Sequence, residues 1–327
     1  MPLTPLALNA DDFAGLFKDP KYMLGAMEAV ERAFVDQHKR KVRPDSFADI
    51  AGEGAGQSSL RFNFVGGAGK LDSVLALGAG AGVNSRFVML FDGATRELVA
   101  LLDSGLLNPL RVGAEAGVAV KYLASPGAKV AACIGSGRQA VTQVAALVNA
   151  LPSLDVVKVF SPTQANRERF CGDMSAWLGR RFEAVDSVAE AIDGADIVDL
   201  INPSHAPLFE TPQLKDGALV LAMSGRGEIP GDFLTLPNVR VVAPSWDILA
   251  VSPVREPFLT EVREGRYTRE DYAGDLGDVI VDGRKVRNAP SDIVDFEGTA
   301  MPVLEHAATE WAYEWAKANG AGTTVRL

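Results

Sequence analysis

The sequence predicts an α/β protein whose centre is a doubly wound parallel sheet, preceded by a separate antiparallel β region. Three observations carry this expectation. From residue 129 to 243, short apolar runs alternate with stretches that read as helices, the pattern of βαβ units. A glycine hexad, Gly135-Ser136-Gly137-Arg138-Gln139-Ala140, falls between the first of those runs and the first of those stretches. Residues 59–102 instead carry apolar runs punctuated by glycines and by Asp92-Gly93, as antiparallel strands do.

Taken in order, residues 21–38 place Met23, Ala26, Val30, Ala33 and Phe34 at helical spacing, closed by the basic run Lys39-Arg40-Lys41-Val42-Arg43-Pro44. Strands are expected at 59–65, 73–77, 86–92 and 97–102. At Asn108-Pro109 a helix begins, with Asn as N-cap and Pro at the first helical position, and Ser125-Pro126-Gly127 stops it after about Leu123. Strands then follow at 129–134, 156–160, 181–185, 196–201, 219–223 and 239–243, with helices at 139–151, 164–178 and 188–192. Such alternation gives a parallel sheet covered on both faces. Residues 293–319 read as one long helix with Leu304, Ala307, Ala308, Trp311 and Trp315 on one side, packing back on the first domain.

At 327 residues, 47% hydrophobic and 23% charged, the chain has material for two domains of roughly 150 residues each. A formal charge of −10 argues against nucleic acid or an anionic membrane as partner, since both need a positive footprint. The two cysteines, Cys133 and Cys171, sit in regular segments and read as reduced packing residues, which fits a cytoplasm. The start has no basic n-region, and nowhere do about 18 apolar residues run together, so a soluble, unexported protein is expected. His38, His205 and His306 lack metal-ligand spacing, and no metal is expected.

The hexad has the setting a dinucleotide needs: strand, glycines, helix. Gly135 can make the tight turn, Gly137 lets the backbone approach a pyrophosphate, Ala140 keeps the helix close to the strand, and the helix N-terminus faces the phosphates. The intervening Ser136, Arg138 and Gln139 belong to the same candidate cofactor turn. The next strand ends at Phe160-Ser161, so Ser161 stands where an acid would grip a ribose 2′-hydroxyl. With Thr163 and Arg167 close behind, a 2′-phosphate can be accommodated, which favours NADP over NAD.

Three blocks carry a resemblance: Phe91-Asp92-Gly-Ala-Thr-Arg-Glu-Leu-Val-Ala-Leu-Leu-Asp103, Leu107-Asn-Pro-Leu-Arg111-Val-Gly-Ala-Glu-Ala, and Lys121-Tyr-Leu-Ala-Ser-Pro126 leading to the hexad. With Ala195-Asp-Ile-Val198, Asn202 and the closing Asp295-Phe-Glu-Gly-Thr-Ala-Met-Pro-Val-Leu-Glu305, the chain resembles the ornithine cyclodeaminase/mu-crystallin family over nearly its full length. The resemblance implies a homodimer. It implies a Rossmann dinucleotide domain over 111–290, with Asn202 among its cofactor residues, and a substrate and dimerisation domain built from 1–110 with 291–327. It also implies an NAD(P)-dependent oxidoreductase acting on a small amino or imino acid, such as an imine reductase or amino-acid dehydrogenase. Ornithine cyclodeaminase, or a cofactor-dependent binding protein with little turnover, are the alternatives. By position, Arg111 matches the arginine that grips the substrate carboxylate and Arg43 a second such contact. A planar guanidinium suits that task, meeting a carboxylate through two parallel hydrogen bonds.

Departures from the family pattern matter as much. Its lysine or arginine after the first hairpin region, which polarises the reacting nitrogen, has no counterpart in Ser73-Val-Leu-Ala-Leu-Gly78-Ala-Gly-Ala-Gly82; Lys70, just upstream, is the substitute available. In Ala222-Met-Ser-Gly-Arg226-Gly-Glu228, Arg226 occupies the position of the cyclodeaminases' proton-transferring aspartate. Glu228, two residues on, is a candidate acid, and Arg226 a candidate either to meet a second carboxylate or, as a catalytic group, to polarise a carbonyl. Losing the aspartate weakens the cyclodeaminase reading more than the reductase reading, because hydride transfer needs fewer protein groups.

Overall fold

The chain opens with strand β1 (Leu6–Leu8) and helix α1 (Tyr22–His38), followed by β2 (Ser46–Ala51), β3 (Ser59–Val65), β4 (Leu71–Gly80), β5 (Val83–Asp92) and β6 (Leu98–Asp103). Helix α2 (Leu107–Leu123) leads into β7 (Val130–Ile134), α3 (Arg138–Ala150), β8 (Val156–Phe160), α4 (Gln164–Leu178), β9 (Arg181–Ala184) and α5 (Val188–Ile192). Then come β10 (Ile197–Leu200), β11 (Leu219–Ala222), β12 (Val239–Ala243), α6 (Trp246–Leu249), α7 (Phe258–Arg263), β13 (Gly274–Asp275) and α8 (Leu276–Asp282). The chain closes with β14 (Ile293–Glu297), α9 (Pro302–Ala318) and β15 (Thr323–Thr324). The structure is a computed structural model and describes all residues except 1–2, 40–45, 52–58, 67–69, 81–82, 226, 253 and 300. Two units divide the chain: Met1–Arg111 with Ala300–Leu327, and Val112–Thr299.

In the first unit, β2 to β6 form an antiparallel meander extended by β1, parallel to β6, and by β15, antiparallel to β1. Register decides which side chains share a face. Val65, Ser73, Leu90 and Ala100 lie opposite one another across β3 to β6, and all four are buried. The alternate row, Phe64, Val74, Met89 and Leu101, faces the other way, and Phe64 is 43% exposed, as is Phe87 at 41%. Helix α9 packs on β3, β4 and α1. Its Leu304, Ala308, Ala312 and Ala316, at spacing of four, are fully buried, as are Met23, Ala26 and Val30 of α1. Trp311 and Trp315, expected on the packed side, are only half-buried.

In the second unit eight strands run parallel in the order β13-β12-β14-β11-β10-β7-β8-β9. The chain starts at β7, winds outward through β8 and β9, then returns to the other side of β7 as β10, which makes the carboxyl ends of β7 and β10 the topological switch point. Every residue of β10 and β11 is buried, as expected of strands covered on both faces.

Two expectations need correction. Residues 293–319 are not one helix: Ile293–Glu297 is strand β14, inserted between β11 and β12 and wholly buried, and the helix starts at Pro302. The strand is only five residues long and carries Asp295 and Glu297 where a fully buried strand usually carries no acid, so it merged with the helical spacing beyond Gly298. Strand β14 falls within the second unit, which runs to Thr299. Asn108 is not an N-cap, because α2 already begins at Leu107 and the Asn108 amide donates to Ser104 O at 3.1 Å. Among the described residues no helix is long and apolar enough to cross a membrane.

Candidate active site

The glycine turn sits at the switch point of the second unit. Gly135 has φ 141°, and a Cβ there would lie 2.1 Å from Ile201 O, so only glycine fits. Its amide donates to Phe160 O at 2.9 Å, tying the turn to β8. Gly137 is different: its backbone is extended, with φ −86° and ψ −175°, and a Cβ would meet nothing within 4 Å. The protein therefore leaves space at Gly137 that its own packing does not use. No side chain caps α3, whose N-terminus opens at this turn, with Arg138 exposed and Ala140 buried. Gln139 is half-buried at the same helix start.

At the end of β10, Asn202 N donates to Ser224 Oγ at 2.8 Å and Asn202 Oδ1 accepts from Ser204 N at 2.8 Å. Its Nδ2 is buried and has no hydrogen-bond partner. A buried amide donor left unmade beside the switch point fits a polar group of a bound dinucleotide.

Beyond β8, Ser136 Oγ donates to Ser161 Oγ at 2.8 Å, and Thr163 is exposed. Arg167 is not the open cation the sequence suggests. Its side chain is buried, Nη1 donates to Ser161 O at 3.2 Å, Nη2 pairs with Asp186, and the guanidinium lies 5.9 Å from the Phe160 ring centre. Asp186, 19 residues away in sequence, gave no signal of its own.

Glu228 is likewise not a solvated loop carboxylate. It is 1% exposed, and its Oε1 accepts from Ser224 N at 3.1 Å and Gly225 N at 2.8 Å, bracing the turn after β11. Burial pushes its carboxyl up to about 7, against the opposing pull of the Gly225 amide and of Arg255. Arg255, which the sequence did not single out, donates from Nη1 to Ala222 O at 2.8 Å and lies 3.5 Å from Glu297 Oε2. Desolvation holds Glu297 and the adjacent Asp295 above the usual carboxylate range. Two acids in the wholly buried run of β14 were the only sequence signal for this cluster. Arg226 lies outside the described residues, as does Arg43.

In the first unit Arg111 and Glu305 are both buried, with Nε 3.3 Å from Oε2. His306 Nδ1 lies 2.9 Å from Ser73 Oγ, so the strand lacking the family's cation is anchored to α9 instead. Lys70 is exposed and lines a cleft of about 430 Å³ with Arg32, His306, Glu310 and Trp311.

A doubly wound parallel sheet with a glycine turn at its switch point is the architecture of a dinucleotide-binding protein. The chain belongs to the ornithine cyclodeaminase/mu-crystallin family, whose model matches residues 78–320. It is 29% identical to the iminosuccinate reductase of Paracoccus denitrificans, over 92% of this chain and 95% of that protein. It is 28% identical to a Δ1-pyrroline-2-carboxylate reductase of Bacillus cereus, over 73% of this chain and 74% of that one. The crystal structure of the Paracoccus denitrificans enzyme in complex with NAD+ superposes with a TM-score of 0.83 at 25% identity, covering 99% of this chain and 100% of that one. An archaeal alanine dehydrogenase dimer with bound NAD shares the fold, with a TM-score of 0.85 at 21% identity over 99% and 100% of the two chains.

Proposed function

We propose that the protein is a nicotinamide-dependent oxidoreductase that reduces the C=N bond of a small imino acid. The observation that carries this reading is the turn at the switch point, where Gly135 is forced by the fold and Gly137 is left open. The kinship to two imine reductases supports the reaction class. When bound, the nicotinamide supplies the hydride. This chain's part is to hold the substrate: Arg111, oriented by Glu305, grips the α-carboxylate, and Arg43 adds a second contact. Arg226 meets a further carboxylate, which points to a dicarboxylic imino acid and accords with the relative that matches over 92% of this chain. Glu228 braces the turn after β11 and holds a proton near neutral pH. Lys70, on the rim of a cleft, acts at most in drawing anionic substrate inward.

Ser161 in place of a carboxylate admits NADP as well as NAD, although the ion pair of Arg167 withdraws the cation on which a preference for NADP rests. The exposed phenylalanines Phe64 and Phe87 support a homodimer formed through the open face of the first sheet. On this reading residues 1–111 with 300–327 serve substrate binding and dimerisation, and two buried free cysteines suit a cytoplasmic setting.

The test is to mix purified protein with NADH or NADPH and a panel of cyclic and linear imino acids, following the nicotinamide absorbance. Oxidation with a dicarboxylic imine is the expected result. Proline and ammonia released from ornithine without net change in cofactor would replace the reductase with a cyclodeaminase. Cofactor binding without turnover on any imine would leave a binding protein.

A further inference from the structure

We propose that Asp186, through its ion pair with Arg167, decides between the two nicotinamide dinucleotides and sets this chain for NAD(H). The inference rests on the reading of the second unit as a nicotinamide dinucleotide domain. In such domains the residue closing the second strand selects the cofactor, since an acid there accepts from the ribose 2′-hydroxyl and repels a 2′-phosphate. Here that residue is Ser161, whose hydroxyl is engaged by Ser136 at 2.8 Å. The discriminating charge sits one strand further out. Strand β9 lies beside β8, and two residues beyond its end the Asp186 carboxylate takes Nη2 of Arg167.

The two partners differ in freedom. Arg167 is rooted: its side chain is 8% exposed, Nη1 donates to the carbonyl of Ser161 at 3.2 Å, and its plane lies near the Phe160 ring. Its guanidinium is therefore fixed beside the residue that closes β8. The Asp186 side chain is 87% exposed, while its backbone amide is held by Glu190 Oε2 at 2.9 Å, within the turn that Ser187 caps at the start of α5. The carboxylate is thus delivered to Arg167 by a fixed backbone and otherwise faces water.

Paired, the two charges cancel. A ribose 2′-hydroxyl, being neutral, loses nothing beside them. A 2′-phosphate, with nearly two negative charges, has to displace the Asp186 carboxylate from Arg167 and then sit next to it. Without the carboxylate, Arg167 is a pre-positioned cation at the end of β8, the arrangement that recognises a 2′-phosphate. The sequence's lean towards NADP counts Arg167 but not its partner.

The experiment measures, by calorimetry on the full chain, the binding of 5′-AMP and of 2′,5′-ADP, and by fluorescence that of NADH and NADPH. Wild-type protein is expected to hold 2′,5′-ADP no more tightly than 5′-AMP. Asp186→Asn, a change confined to an exposed side chain, is expected to raise the affinity for 2′,5′-ADP by about tenfold or more, the worth of one charge-assisted hydrogen bond, with 5′-AMP within twofold of wild type. The double variant Asp186→Asn/Arg167→Ala is expected to lose that gain while still binding 5′-AMP. An unchanged ratio in Asp186→Asn, or a wild type that already prefers 2′,5′-ADP tenfold, overturns the role of Asp186 and leaves the cofactor reading intact. Failure of the wild type to bind either dinucleotide overturns both.

Discussion

Nε of Arg111 lies 3.3 Å from Oε2 of Glu305, and both side chains are buried although 194 positions separate them. Two charges withdrawn from water in this way are tolerable only as a pair. Glu305 thereby fixes the edge of a guanidinium whose proposed work is to bind a carboxylate. Arg111→Lys, which keeps the charge but not the fork, is expected to lower kcat/KM at least ~100-fold. Glu305→Gln is expected to raise KM about tenfold with a smaller change in kcat, because a neutral amide oxygen holds the guanidinium edge more weakly than a carboxylate while Arg111 keeps its own charge. Steady-state kinetics on the imine that turns over decides both, and a Glu305→Gln enzyme with wild-type KM would remove Glu305 from the site.

The two glycines of the cofactor turn should fail differently. Gly135→Ala places a methyl 2.1 Å from a backbone carbonyl at a left-handed φ, and a loss of roughly 3 kcal/mol in unfolding free energy is expected. Gly137→Ala meets no protein atom within 4 Å, so its stability should stay within about 0.5 kcal/mol of wild type. Its NADH affinity should nevertheless fall about tenfold or more, since the methyl fills the approach to the pyrophosphate. Urea denaturation and NADH titration of the same samples separate the two effects.

Glu228 gives the stability a slope on the alkaline side. Its folded-state carboxyl titrates near 7, raised by burial, against an ordinary value of 4.5. The neutral form is the one the fold favours. Its contribution, roughly 2–3 kcal/mol, is therefore complete below pH 4.5 and disappears as pH rises through about 7. Buried Asp199, Asp295 and Glu297, also held above the usual range, act in the same direction. Glu228→Gln keeps an oxygen for the Ser224 and Gly225 amides and cannot ionise. Its denaturation midpoint should fall less between pH 5 and 8 than that of wild type, and parallel curves would show that Glu228 does not titrate there.

His306 acts on the acid side. Burial lowers its pKa from 6.5 to about 4, so the neutral ring, bonded to Ser73, is the folded form. Its contribution is intact above pH 6.5 and is lost as pH falls through about 4, because the unfolded chain takes up the proton first. His306→Asn should lose less stability than wild type from pH 7 to 4, by up to roughly 3 kcal/mol. Chemical denaturation across that range provides the comparison.

Phe64→Asp or Phe87→Asp puts a charge on the open face of the first sheet without touching its buried face. Sedimentation should show the wild type as a dimer and these variants as monomers at micromolar concentration. Monomeric wild type would end the dimer proposal.

What the sequence disclosed follows from periodicity. Strand β8 and helix α4 match their expected bounds, because the alternation of the strand and the left-handed Gly179 that ends the helix are both local signals. The glycine turn was equally legible, since its chemistry lies within six consecutive residues. Strand β14 was hidden because it is five residues long and carries two acids where a fully buried strand usually carries none. Asp186 beside Arg167, Glu305 beside Arg111 and Arg255 beside Glu297 were hidden for another reason: each pair is made by the fold, across 19, 194 and 42 positions, and no spacing rule reaches that far. Each of these partners alters what the visible residue can do. A cation read alone from sequence looks available, whereas the folded chain has already engaged it.

The placement of β14 also bears on how the protein is made. Strands β11 and β12 are never neighbours, and the strand that joins them is encoded some fifty residues after β12, at 293–297. The first sheet has the same dependence, since helix α9, which covers β3 and β4, comes later still. Neither sheet can therefore close while the chain is being synthesised up to that point. A nascent polypeptide halted near residue 290 would carry a gap in one sheet and an uncovered face on the other, and both units would complete almost together once residues 293–318 had been made.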